Sequence, residues 1–155
     1  MNLTMLKMKK WLGIVVMSLL FLGQINAQDV VLPNEVLQTF NQKFEGADNI
    51  NWSKKNQYYK VDFGHQREEK SAWIGQTGDL EMVQTQIGKD ELPGPVCTTL
   101  NDDGFANHKF KKVYKLEMQH EVMYKLDARN SGGVVEILVR EDGKIVDQSD
   151  ENLSM

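Results

Sequence analysis

Cysteine is nearly absent from this chain of 155 residues, with Cys97 the single example. One thiol permits no intrachain disulfide, so the fold must hold by packing alone. No His, Lys or Arg lies within a helical turn of Cys97 to activate it, and it reads as a small apolar residue on a helix. Histidine is almost as scarce. His65, His108 and His120 form no HxH or HxxxH pair, and no CxxC exists to join them. Metal sites built from His, Cys and carboxylates need such convergence, so no metal or cofactor is expected. GxSxG, GxGxxG and P-loop glycine runs are missing too, which removes the common signatures of hydrolases and nucleotide-binding proteins. With no nucleophile, base and orienting acid in view, the sequence points away from an enzyme.

Long apolar runs are also lacking, with one exception near the start. Lys7, Lys9 and Lys10 precede the apolar run from Trp11 to Leu22, and Ile25-Asn26-Ala27 follows. That order predicts a signal peptide over residues 1–27, cut before Gln28, and no lipid anchor, since no cysteine follows the run. The run is short for a membrane span, and none is expected after cleavage. The first 27 residues hold three of the 18 basic residues and none of the 22 acidic ones, leaving 15 against 22, a charge of −7. An acidic secreted domain is poorly suited to nucleic acid, whose phosphates call for clustered Lys and Arg. The location expected is periplasmic or secreted.

The chain does contain an internal echo. Tyr59-Lys60-Val61-Asp62 returns as Tyr124-Lys125-Leu126-Asp127, and the same offset of 65 links Ile74 to Val139, Gly78 to Gly143 and Leu80 to Ile145. An offset of 60 links Leu32-Pro33 to Leu92-Pro93, Val36 to Val96 and Phe40 to Leu100. The pattern predicts an α+β fold of two tandem helix-plus-four-antiparallel-strand units, helices on one face of the sheet. The units are placed at 28–90 and 91–155, the second with a polar, frayed tail from Asp147.

Local signals fill in the units. Pro33 opens a helix to Glu45 with Val36, Leu37, Phe40 and Phe44 as one apolar stripe, and Gly46 ends it. The alternation of Ile50 and Trp52, then Tyr59, Val61 and Phe63, marks strands; Glu69–Gly75 and Leu80–Ile87 follow. The second unit has a helix from Pro93 to Asp102, then strands Val113–Gln119, Val122–Arg129, Val134–Arg140 and Lys144–Val146. Turns are expected at Asn56, Gly64–Arg67, Gln76–Asp79, Asn130–Gly133 and Glu141–Gly143.

Strand alternation yields the candidate site. If Tyr59, Val61 and Phe63 face the helix, Tyr58, Lys60 and Asp62 face away. By the echo, Trp73 and Leu138 point outward with them, as do Met123 and Lys125. A large aromatic on an open sheet face suggests recognition, although a one-residue slip would bury Trp73. Tyr58, Trp73 and Met123 are the expected anchors, with Lys60 and Lys125 on the rim.

These residues carry a family resemblance. Leu32-Pro33 with its amphipathic helix, then Phe44 through Trp52 (Phe-Glu-Gly-Ala-Asp-Asn-Ile-Asn-Trp), resembles the opening of the β-lactamase-inhibitor-like, PepSY-like domain family. Ser71-Ala72-Trp73-Ile74 and Gly78-Asp79-Leu80 resemble its later strands. The match is good in the first half and weaker in the second, where Gly94-Pro95 and Thr98-Thr99 interrupt the helix. The resemblance implies a non-enzymatic secreted or periplasmic binding protein that meets an envelope protein or peptide through its open sheet face, one version being inhibition of a peptidase or other hydrolase. The alternative is a periplasmic small-molecule or ion sensor or carrier with a pocket between the units.

Overall fold

Two prolines set where the helices begin. Pro33 and Pro93 share the same extended backbone, φ −60° and ψ 149°, and each accepts the first helical hydrogen bond, from the N–H of Leu37 at 3.2 Å and of Cys97 at 3.0 Å. Helix α1 runs Asn34–Lys43 and α2 runs Gly94–Leu100. Both are shorter than their apolar stripes suggest. In the second, a wide turn over Asn101–Phe105 follows, where Gly104 takes φ +87° and breaks the helical path. The computed structural model describes residues 30–150. The expected signal peptide and the last five residues of the predicted tail lie outside them.

Four strands follow each helix: after α1, β1 Asp48–Lys55, β2 Tyr58–His65, β3 Glu68–Gly75 and β4 Leu80–Gln86; after α2, β5 Lys109–Met118, β6 Val122–Asn130, β7 Gly133–Arg140 and β8 Ile145–Asp150. They pair in simple chain order, each antiparallel to the next. This corrects the expected fold. The molecule is one continuous eight-stranded antiparallel sheet with two short helices, not two tandem helix-plus-four-strand units. The pairing of β4 with β5 decides it, running from Met82↔Met118 to Gln86↔Tyr114, with Ile87 N–H bonded to Val113 O at 3.0 Å just beyond. A four-stranded half would leave the backbone groups of β4 bare, and β5 satisfies them. The acidic tail is corrected as well: β8 continues to Asp150 instead of fraying at Asp147.

Both helices cover the same sheet face over two separate apolar clusters. Val36, Phe40 and Phe44 of the first helical segment pack on Tyr59, Val61, Phe63, Ala72 and Ile74. Phe63 meets the Phe40 ring edge-on at 5.0 Å. Val96 and Leu100 pack on Tyr124, Leu126, Ala128, Ile137 and Val139. Between the clusters the row Lys70–Thr85–Lys115–Tyr124 is polar. Lys70 pairs with Glu68 at 2.6 Å and donates to Thr85 at 3.1 Å; Lys115 pairs with Glu117 at 2.9 Å. Burial and the nearby Glu141 carboxylate push the Tyr124 phenol above its ordinary 10.0, so it stays neutral there.

The echoed glycines make the same contact twice. Thr39 Oγ1 donates to Gly78 O at 2.7 Å, and Thr99 Oγ1 donates to Gly143 O at 2.7 Å. Each bond ties a helix to the turn before the fourth strand of its half.

One hairpin carries backbone strain. His65 and Glu68 pair directly, so the β2–β3 turn is the two residues Gln66 and Arg67, both left-handed at φ +54° and +69°. Such turns favour Asn-Gly, because a side chain at positive φ crowds the backbone. The double change Gln66→Asn, Arg67→Gly is expected to stabilise the fold by about 1 kcal/mol, read as a higher midpoint in thermal denaturation.

Candidate functional site on the open sheet face

The face opposite the helices is built by cross-strand register. One row runs Ser53–Lys60–Trp73–Met82–Met118 across five strands. The next runs Asn51–Asp62–Ser71–Gln84–Leu116–Met123–Arg140, and a third Gln86–Tyr114–Lys125–Leu138–Asp147. Directly opposed side chains share a face and lie in contact range. Trp73, Met82, Leu116, Met118, Met123 and Leu138 therefore form one apolar patch centred on β4, β5 and β6.

Strand β5 makes the patch unusual. In β2, Tyr59, Val61 and Phe63 point to the helices, and in β6, Tyr124, Leu126 and Ala128 do, as expected of a sheet covered on one side. In the second half of β5 the pattern is reversed. Lys115 and Glu117, an ion pair, take the helix side, while Tyr114, Leu116 and Met118 take the open side. Leu116 is only 8% exposed yet belongs to neither core cluster; its neighbours on the open face shield it.

Polar pairs border the patch. Lys60 Nζ lies 2.7 Å from Asp62 and 5.4 Å from the centroid of the Trp73 ring, a cation–π contact. Ser71 Oγ donates to Asp62 at 2.5 Å. On the other flank Lys125 pairs with Glu136 at 2.6 Å. A depression of about 260 Å³ lies beside the first group, lined by Lys60, Asp62, Ser71, Gln84, Gln86 and Tyr114 among others.

Partial burial of Asp62 raises its carboxyl pKa, but hydrogen bonds from Lys60 and Ser71 outweigh this and hold it below its ordinary 3.8. The folded value is the lower one, so its stabilising contribution is complete above pH 3.8 and fades as pH falls through the folded value. Asp62→Asn is expected to flatten the acid limb of a stability–pH curve below pH 3.8 and to leave its slope near neutrality unchanged.

The five residues singled out from the sequence all lie on this face. Lys60 and Trp73 touch, Met123 joins them through Met82, Met118 and Leu116, and Lys125 adjoins through Leu138. Tyr58 stands farther out, at the β1–β2 turn, where Gln57 donates to its hydroxyl at 2.7 Å. Sequence reasoning missed Met82, Tyr114, Leu116 and Met118. The alternation of Tyr114, Leu116 and Met118 within the expected strand Val113–Gln119 was the available signal, and periodicity alone does not say which face a helix covers.

Among the described residues no group of three or more His, Cys, Asp and Glu side chains could hold a metal ion. Among them, too, no helix is long and apolar enough to cross a membrane.

Neither a family model nor a curated protein matches the sequence. Solved structures do match. A DUF2874 family protein from Bacteroides uniformis superposes with a TM-score of 0.74 at 19% identity, over 81% of this chain and 94% of that one. A protein assigned to the periplasm of Bacteroides eggerthii gives 0.73 at 19% identity, over 77% and 89%. A BLIP-like protein (BLIP, β-lactamase inhibitor protein) from Bacteroides fragilis gives 0.71 at 20% identity, over 81% and 91%. The resemblance to the β-lactamase-inhibitor-like family read from the sequence therefore holds at the level of fold, shared over 77–81% of this chain.

Proposed function

We propose that this chain is a non-enzymatic periplasmic binding protein that docks a protein partner on its open sheet face. The observation that carries this reading is the reversed polarity of β5, which places Leu116 and Met118 away from the helices beside Trp73, Met82, Met123 and Leu138. A face meant only for water would gain from the opposite arrangement. The composition suits a protein partner: an aromatic anchor, adaptable methionines and a rim of charged pairs. The rim lysines are neutralised by Asp62 and Glu136, so the partner surface need carry no strong charge, only apolar side chains that fill the patch. Steric blocking of a peptidase or other hydrolase is the specific form we favour, supported by the fold shared with a BLIP-like protein. The periplasmic neighbour supports the location.

A carrier role has less to rest on. A groove of about 420 Å³ on the helix side touches both halves, but its lining mixes Lys43 and Lys70 with Glu81 and Glu117. That mixture selects no ligand class. The docking reading is tested by capture from a Bacteroides periplasmic extract. A protein held by the wild type and released by a folded Trp73→Ala variant supports it; equal capture by both contradicts it.

A further inference from the structure

Cations gather at one end of the open face. Lys109 and Arg129 are direct cross-strand partners on β5 and β6, which sets their Cβ atoms about 5 Å apart. Lys112 stands opposite Asp127, two residues from Arg129 along β6. Lys109 and Lys112 are three residues apart, a spacing that puts the side chains of a regular strand on opposite faces. A bulge between Phe110 and Lys112 absorbs the extra residue, Lys111, and returns both lysines to the open side. Phe110 stays on the helix side, packed on the cluster under α2, with the Lys89 ammonium 4.5 Å from its ring centroid.

Like charges directly opposite on a sheet destabilise it. Lys109, Lys111, Lys112 and Arg129 are all exposed, and among the described residues none of them makes an ion pair, unlike Lys60, Lys70, Lys115 and Lys125. The carboxylates nearby are few. Asp127 faces Lys112 across the strands, and Glu136, next in that row, is taken by Lys125 at 2.6 Å. Glu69 on β3 and Asp147 on β8 lie two strands away on either side. Asp90 and Glu91 sit in the turn after β4, where Glu91 accepts the Gly88 N–H at 2.7 Å. The four cations thus share Asp127 alone, in a chain whose net charge is negative. A local rule broken without a compensating contact marks a functional surface.

We infer that the protein partner of the open face bears an acidic patch beside its apolar contact, received by Lys109, Lys111, Lys112 and Arg129. This rests on the docking reading and names the partner's chemistry. Lys112, Tyr114 and Leu116 follow one another on the same side of β5, so the basic end runs directly into the apolar patch. The patch asks for apolar side chains, and its basic end asks for carboxylates. Arg129 offers a planar fork that a carboxylate meets through two parallel hydrogen bonds. The lysines steer an acidic surface in from a distance and fix its register. A phosphate polymer fits less well, because it makes no use of the adjoining apolar side chains and is repelled by the net charge of the chain.

The test is fluorescence anisotropy of labelled hexaglutamate with the chain from Gln28 onward, in about 20 mM salt, where exposed charges are weakly screened. The expected result is saturable binding of one peptide per chain, lost as salt rises to about 0.5 M. Binding is expected to be about ten-fold or more weaker in the triple variant Lys109→Gln, Lys112→Gln, Arg129→Gln, and unchanged in Trp73→Ala. The triple variant is expected to melt no lower than the wild type, because it relieves the repulsion between Lys109 and Arg129. No saturable binding, equal binding by the triple variant, or a lower melting midpoint in it overturns the inference. Labelled hexathymidylate, of similar charge, probes the other class of polymer: binding tighter than that of hexaglutamate assigns the basic end to nucleic acid and overturns the acidic partner. The peptide reads only the cations, so its failure leaves the docking reading standing, and that reading is judged by capture with Trp73→Ala.

Discussion

Gly143→Ala is expected to lower stability by about 3 kcal/mol, equivalent to a fall of roughly 10 °C in the midpoint of thermal denaturation for a domain of this size. Gly143 holds φ +89°, where a β-carbon costs about 1–2 kcal/mol from backbone crowding alone. The added carbon would also stand 2.7 Å from the Pro95 carbonyl oxygen and 2.8 Å from Thr99 Oγ1. Neither is the end of a long flexible chain. The carbonyl belongs to the first turn of α2, and the hydroxyl is committed to Gly143 O. The strain would have to push α2 off the sheet, loosening Val96 and Leu100 from their cluster. The matching change Gly78→Ala meets Glu35 O at 3.0 Å and Thr39 Oγ1 at 3.1 Å, a looser fit at the same φ. It is expected to cost about 2 kcal/mol, most of it backbone strain. Equal and small effects from the two would show that the turns do not clamp the helices.

Trp73→Ala is expected to weaken partner binding by 2 kcal/mol or more, roughly thirty-fold, while leaving the fold intact. Trp73 is half-buried and lies outside both core clusters, so truncation opens no cavity beneath a helix. The loss to the free protein is the cation–π contact with Lys60 and packing on Met82, together about 1 kcal/mol. Within a docked interface the same side chain would be desolvated at the centre of the patch, where truncation costs most. Circular dichroism and a thermal scan check the fold, and titration calorimetry with the captured partner gives the affinity. A variant that unfolds, or one that binds as tightly as the wild type, contradicts the role given to Trp73.

Much of the architecture was legible in local chemistry. Pro33 and Pro93 marked the helix starts, the Val36/Phe40 and Val96/Leu100 stripes marked their buried faces, and Asn56, Gly78, Asn130 and Gly143 sit at turns. Other features were hidden for physical reasons. The first residues of β5, Lys109 to Lys112, are dense in charge and fall before the expected strand Val113–Gln119, yet β6 supplies their backbone partners. The end of β8 is polar, but pairing with β7 carries it to Asp150. The small core of each half already called for joining, but that β4 and β5 make the join rests on backbone hydrogen bonds, which leave no side-chain pattern. The candidate site was half visible. Trp73 and Met123 followed from the alternation of β2 and β6 carried to their neighbours. The centre of the patch did not, because the polarity of β5 runs opposite to that of β2, and periodicity alone does not say which face a helix covers.

The docking claim is tested most directly by limited peroxide oxidation of the wild-type protein, alone and with its captured partner, followed by mass spectrometry of individual methionines. Met82, Met118 and Met123 lie in the patch, and oxidation reports their access to solvent. The account predicts that partner binding slows oxidation of all three, and that a partner released by Trp73→Ala gives that variant no protection. Oxidation at rates unchanged by a bound partner would place the interface elsewhere and contradict the account.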